Sequence, residues 1–142
     1  MKWKLRELKD IDDVLDVYDI YKYCMYMPTK EKYEKKIISY MQNESIRIYV
    51  CIYHESIRGI IIISFYEHNK AEIEGISVDE CVRGQGVGSY MIQEIKENFD
   101  LNLLSAETDD DAVIFYKKNG FKITEFTSDF DGNRVTRYKC EL

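Results

Sequence analysis

A single proline in 142 residues leaves little room for a flexible linker, and no internal repeat or low-complexity stretch marks a boundary. Residues 1–142 therefore read as one domain, long enough to bury about two-thirds of its unfolded surface in a single core. Disulfides are not needed. The four cysteines (Cys24, Cys51, Cys81 and Cys140) are scattered without CxxC spacing, which argues against a zinc site or redox motif and suits reduced thiols, with Cys51 and Cys140 expected to be buried. Only two histidines occur, both in expected turns and without partners at ligand spacing, so no metal is anticipated. Long apolar runs are missing as well, and the first residues, Met-Lys-Trp-Lys-Leu-Arg-Glu, lack the core of a signal peptide. No membrane partner is expected, and the chain reads as cytoplasmic. Positive charge is in deficit, with 20 Lys and Arg against 26 Asp and Glu for a net −6. That balance disfavours nucleic acid as a partner and is compatible with a cationic one.

Aromatic residues, by contrast, are plentiful, with 12 tyrosines. Periodicity predicts a strand over 3–8 and a helix capped by Asp10 that carries Ile11, Val14, Leu15, Tyr18 and Tyr21. A break over 21–28 follows, then a second helix capped by Thr29 with Tyr33, Ile37, Tyr40 and Met41 on one face. Strand runs at 46–53 and 57–66 flank His54-Glu55-Ser56 at hairpin spacing, and the unbroken Ile60-Ile61-Ile62-Ile63 implies a strand covered on both faces. After a turn at His68-Asn69 come a strand over 71–78, an amphipathic helix over 87–99 and a strand over 101–106. A helix over 109–119 ended by Gly120 and a closing hairpin of 121–126 with 135–142 complete the chain. Strand, helix, strand makes the strands at 73–78 and 101–106 parallel, joined by a right-handed crossover, while the other pairings look antiparallel. The fold class is α/β, a mixed sheet with flanking helices.

Arg83-Gly84-Gln85-Gly86-Val87-Gly88 sits inside that crossover, between strand and helix. Glycines there let the backbone turn sharply and approach a ligand, and successive N–H groups with the first turn of the following helix can converge on an anion. The triphosphatase loop requires Lys and then Ser or Thr after its last glycine, and here Ser89-Tyr90 follow instead. The dinucleotide fingerprint requires a glycine where Ser89 stands; Glu107, about twenty residues on, keeps it a near miss. However, that motif belongs in an initial strand-helix-strand unit, and a long strand-rich stretch precedes this one. A plain connecting turn is the remaining reading.

The run Val78-Asp79-Glu80-Cys81-Val82-Arg83-Gly84-Gln85-Gly86-Val87-Gly88 resembles the coenzyme A signature of the GNAT N-acetyltransferase family, a hydrophobic strand end followed by Arg-Gly-x-Gly-x-Gly. Downstream, Asp109-Asp110-Asp111-Ala112-Val113-Ile114-Phe115-Tyr116-Lys117-Lys118-Asn119-Gly120-Phe121 is similar to the same family's later motif of Asn, Ala, Phe-Tyr and Gly-Phe. The resemblance implies a GNAT-like acyl-CoA N-acyltransferase fold, a mostly antiparallel sheet whose parallel pair splays apart. It also implies an enzyme that moves the acetyl group of acetyl-CoA to a primary amine of a small molecule or peptide, by direct attack in a ternary complex.

By the same resemblance, the N–H groups of Gly84, Gln85, Gly86, Val87, Gly88 and Ser89 would take the coenzyme's pyrophosphate, with Arg83 at the entrance. Ile76, Ser77 and Val78 would pair with pantetheine, and the Val78 N–H would face the thioester carbonyl. The Tyr116 phenol would protonate or hydrogen-bond the departing thiolate; the alternative is a core pair with Phe115. Asp109 replaces the family's usual Asn, so helix capping competes with coenzyme contact there. Glu74 is the first candidate base, with Glu72 two residues away on the same face and Glu107 past the next strand; an ordinary solvent face is the alternative. The resemblance bounds the acceptor by Tyr21, Tyr23, Met25, Tyr26 and Met27 and by the turn at 128–133, where Asp129 and Asp131 could pair with its charge. A non-catalytic acyl-CoA-binding module is the competing function, and pairing into a homodimer is left open.

Overall fold

Four consecutive isoleucines, Ile60, Ile61, Ile62 and Ile63, have no exposed surface at all, which a strand allows only when both of its faces are covered. In the computed structural model, which describes residues 3–142, they lie at the centre of β3 (Ser56–Glu67). Around it are β1 (Lys4–Leu8), β2 (Ile46–Tyr53), β4 (Lys70–Val78), β5 (Leu103–Thr108), β6 (Lys122–Phe130) and β7 (Asn133–Glu141). The sheet order is β1-β2-β3-β4-β5-β7-β6, with only β4 and β5 parallel. Helices α1 (Ile11–Leu15), α2 (Tyr18–Tyr21) and α3 (Lys30–Met41) pack on one face with Ile60 and Ile62. Helices α4 (Val87–Asn98) and α5 (Val113–Lys118) cover the other with Ile61 and Ile63. Full burial of each isoleucine stabilises by roughly 1.5–3 kcal/mol.

Turn chemistry accounts for two of the tight hairpins. His54 and Glu55 (φ 50° and 66°) join β2 to β3, and Asp131 and Gly132 (φ 54° and 81°) join β6 to β7. Two central residues with positive φ form the turn whose twist matches the flanking strands. The Asp-Gly pair extends the last hairpin well past the expected boundaries of 126 and 135, so that Phe130 pairs with Asn133 at its tip. Residues 128–130 are therefore strand rather than turn.

Three other elements differ from expectation. The helix after Asp10 is interrupted between α1 and α2, because the Val14 carbonyl is taken by the buried Tyr33 hydroxyl at 2.6 Å and by Val17 N in a tight turn at 3.0 Å. The helix expected over 109–119 begins only at Val113, because the Asp109 carboxylate accepts from Asp111 N (3.0 Å) and Ala112 N (3.2 Å) and folds the preceding residues into a capped turn. Strand β5 starts two residues late: Leu101 N returns to the Lys96 carbonyl (3.0 Å) and ends α4, with Asp100 in the left-handed conformation that glycine usually takes.

One irregularity in β4 positions the site. Gly75 pairs with Ile62 while Ile73 pairs with Ile63, so Glu74 is the extra residue of a bulge. Before it, Ala71 and Ile73 face the α4 core; after it, Ile76 and Val78 do. Glu72, Glu74, Gly75 and Ser77 are thereby turned to the α2 face, and Ser77 Oγ donates to the Ile20 carbonyl at 2.6 Å. A Cβ on Gly75 would overlap the hydroxyl and ring of Tyr21, which is 2% exposed and has nowhere to retreat. Gly75→Ala is expected to cost about 1–3 kcal/mol by overpacking, read from the urea midpoint, with a smaller cost in a Tyr21→Leu background; equal costs in both backgrounds would refute the contact.

Candidate functional site

The parallel pair separates almost as soon as it forms. Lys70, Ala71 and Glu72 pair with Leu103, Leu104 and Ser105, and no further partners join β4 to β5, although β4 continues to Val78 and β5 to Thr108. On its other side β4 pairs with β3 all the way to Val78, and Asp79 N continues that ladder to the Arg58 carbonyl at 2.8 Å. Backbone groups alternate direction along a strand, so Ile76 and Val78 present theirs to the gap while Ser77 uses its own toward β3. Each strand thus keeps an unpaired edge inside the sheet.

Beyond Val78 the chain makes a 3₁₀ turn (Glu80–Val82) fixed by Asp79, whose Oδ1 accepts from Cys81 N at 3.1 Å and whose Oδ2 is held by Arg58 at 2.9 Å. These bonds, that of the Cys81 amide first, hold the Asp79 carboxyl below its usual range. Gly84 and Gly86 then adopt φ of 80° and 87° with nothing within 4 Å of where a Cβ would be, so conformation rather than space demands glycine at both. Gly88 differs: a Cβ there would come within 2.8 Å of the Phe115 ring. Gly86 caps α4 without a side-chain acceptor, so the first amides of that helix are left to face the loop. A cavity of about 430 Å³ joins these pieces, lined by Val78, Arg83, Gly84, Gly86, Gly88 and Phe115 among others.

Tyr116 lies one residue beyond Phe115, 5% exposed, its ring edge-on to Phe115 and Phe121 at 5.2 and 5.1 Å. Burial raises its phenol pKa well above the ordinary value, with smaller pushes from the Cys140 and Cys24 thiols, so the proton is held throughout the neutral range. On the α2 face, Glu72 titrates above its usual range because of burial, then the Glu74 carboxyl beside it, then Glu107; Lys139 opposes this. All three candidate acids therefore meet at the splay, with Glu107 inside β5 rather than past it. Tyr40 is pushed up to about 12 by burial and by Glu74. The Cys24 thiol donates to the Tyr21 carbonyl at 3.2 Å, and burial pushes it up to about 11 although the residue as a whole is exposed. Tyr26 and Phe130 meet edge-on at 5.0 Å, bringing the segment before α3 against the tip of the last hairpin.

A family model described as an acetyltransferase (GNAT) domain matches residues 44–123, more than half of the chain. The chain belongs to the GNAT acetyltransferase family. It is accordingly an acetyl-CoA-dependent N-acetyltransferase. Among solved structures it is similar to Ard1 from Thermoplasma volcanium, with 25% identity, 100% of this chain and 97% of that one covered and a TM-score of 0.77. The ribosomal-protein alanine N-acetyltransferase from Escherichia coli gives 17%, 99%, 93% and 0.78. A GNAT acetyltransferase from Elizabethkingia anophelis with acetyl-CoA bound gives 20%, 99%, 97% and 0.69. No curated protein matches the chain.

Against this GNAT frame, Val78 and residues of the 83–89 loop line one cavity, with Ile76 on the same strand edge; the three glutamates lie near one another at the splay, and Tyr116 is buried in the core on the other face of the sheet. Asp109 does not join them, since its Oδ1 is used by its own turn, and neighbouring Asp110 accepts from Tyr138 Oη at 2.6 Å. Missed from sequence were the Arg58–Asp79 pair, the fit of Phe115 on Gly88 and the placement of Tyr21 over Gly75. Only the first had a local signal, an Asp at a strand end with a free amide two residues on.

Because the folded state raises the Glu72 pKa, that group favours folding below the ordinary carboxyl range and loses its contribution as pH rises through the folded pKa. Glu72→Gln is therefore expected to melt higher than wild type near neutral pH, with the advantage vanishing toward pH 4. Parallel thermal midpoints for the two proteins across that range would show that Glu72 is not the strained acid.

Proposed function

We propose that this enzyme acetylates a primary amine, carried by a small molecule or a peptide, by direct attack while coenzyme and acceptor are bound together. The carrying observation is the unpaired edge of β4, which leads from the glycine-rich loop to the splay beside which the glutamates gather. Acetyl-CoA supplies the activated acetyl thioester. The amides of residues 84–89 and the start of α4 hold its pyrophosphate, and the outward groups of Ile76 and Val78 hold its pantetheine arm. The Val78 N–H steadies the negative charge that develops on the carbonyl oxygen. Tyr116 keeps a proton at Oη for the departing sulfur, a task suited to a phenol that burial keeps protonated.

An amine attacks only as the free base, so the acceptor's ammonium must first lose a proton. Glu74 takes it, directly or through water, with Glu72 as its carboxyl partner and Glu107 completing an acidic surround that favours a cationic acceptor. Tyr26 and Phe130 bound the approach. Four free thiols suit a reducing compartment, and we place the enzyme in the cytoplasm.

Thermal unfolding with acetyl-CoA, CoA and NAD added separately tests the coenzyme site, since a ligand that binds only the folded chain raises its midpoint. Stabilisation by the two coenzyme A species alone, followed by acetylation within an amine panel, is expected; a shift with NAD alone would overturn the reading. Tyr116→Phe is expected to lower turnover about 10²-fold while leaving coenzyme affinity intact, and unchanged turnover would remove Tyr116 from the mechanism. Gly86→Glu, which forces a side chain into a left-handed backbone and adds negative charge at the cradle, is expected to abolish the coenzyme-induced shift.

A further inference from the structure

Arg83 is not extended along the loop whose amides it introduces. Its guanidinium stacks over the ring of Tyr23, 4.5 Å from the centroid, and its Nε donates to the Val78 carbonyl at 3.3 Å. That carbonyl is one of the groups that β4 presents to the gap. A strand added to an edge lies about 4.7–4.9 Å from its neighbour, so a guanidinium nitrogen at 3.3 Å stands inside the strip that an added segment would occupy. Tyr23 belongs to a 3₁₀ turn (Lys22–Cys24) that packs against β4. That turn therefore reaches the outward edge of β4 through Arg83, which Tyr23 holds at the Val78 carbonyl.

We propose that Tyr23 is a positioning residue that holds Arg83 as a latch across the edge of β4, so that binding of the coenzyme's pantetheine arm works against the Arg83–Tyr23 contact. The inference rests on the coenzyme site of the preceding subsection and assigns Arg83 a place that the sequence motif does not suggest. Arg83 also lines the loop cavity, so a guanidinium displaced from Tyr23 remains beside the phosphate cradle. The latch thus sets the pantetheine arm, and not the nucleotide, against Tyr23.

Titration calorimetry on wild type, Tyr23→Phe and Tyr23→Leu separates the possibilities, using CoA and 3′-phospho-ADP, the part of CoA that lacks the pantetheine arm. Tyr23 is 47% exposed, so neither substitution opens a core cavity. Leucine removes the aromatic face that attracts the cation, and phenylalanine keeps it. The expected result is about two- to fivefold tighter CoA binding by Tyr23→Leu, the size of an exposed cation–π contact, with Tyr23→Phe like wild type and 3′-phospho-ADP bound equally by all three. CoA binding by Tyr23→Leu that is unchanged or weaker would overturn the latch. A matching change for 3′-phospho-ADP would also overturn it, because Tyr23 would then act on the nucleotide end. Failure of wild type to bind CoA at all would instead overturn the coenzyme site on which the latch depends.

Discussion

Pairing between β4 and β5 stops at Glu72 and Ser105, and the gap that opens there governs the rest of the site. A strand edge left inside a sheet is a liability, because its amides and carbonyls need partners and water reaches them poorly. Here β4 is held to β3 along its full length, so the unpaired groups cannot close by moving toward β5. The Val78 carbonyl is attended from outside the sheet by Arg83, which stacks on Tyr23. Such an edge accepts an extended ligand without any strand being rebuilt, since the binding groups are backbone and already fixed in direction.

The bulge at Glu74 gives this gap two chemically different sides. Without the extra residue, strict alternation would carry Ile76 to the same face as Glu72 and Glu74 and expose Gly75 and Ser77 to the α4 core. With it, the apolar side chains return to the core that contains Tyr116, and the acids collect under α2 and α3. Tyr116 and the three glutamates are thereby placed on opposite faces of the sheet. Tyr21 enforces the arrangement, because its hydroxyl occupies the space a side chain on Gly75 would need.

Much of this was legible in the residues, and what was not has identifiable causes. The isoleucine run, the Asp10 and Thr29 caps and the Gly120 helix end could be read because each depends on local chemistry: an apolar stretch, a side-chain acceptor at the helix start, a position needing positive φ. The same local chemistry misleads where two choices compete. Asp109 was open to capping or to coenzyme contact, and its turn prevailed by offering two amides at once. Helix α1 stops where a side chain from α3 claims its carbonyl, a tertiary event with no trace in the spacing of Ile11, Val14 and Tyr18. The end of the last hairpin was readable from Asp131-Gly132, yet the stretch at 127–130 alternates too weakly to extend the strand on periodicity alone. The bulge had no signal of its own, since Glu72 and Glu74 read as same-face neighbours with or without it.

The two sequence motifs, far apart along the chain, are a single contact in space. Gly84 and Gly86 are glycines for the sake of φ, but Gly88 is glycine because Phe115 from the second motif lies against the first turn of α4. That contact fixes the rotation of α5 about its own axis. Tyr116 follows directly and is turned into the core, while Lys117 and Lys118 are left in solvent. The glycine-rich loop and a phenol that keeps its proton are in this way held in one register by a missing methyl group. An isolated glycine-rich loop or an isolated Phe-Tyr pair carries little information; together they specify one packing arrangement.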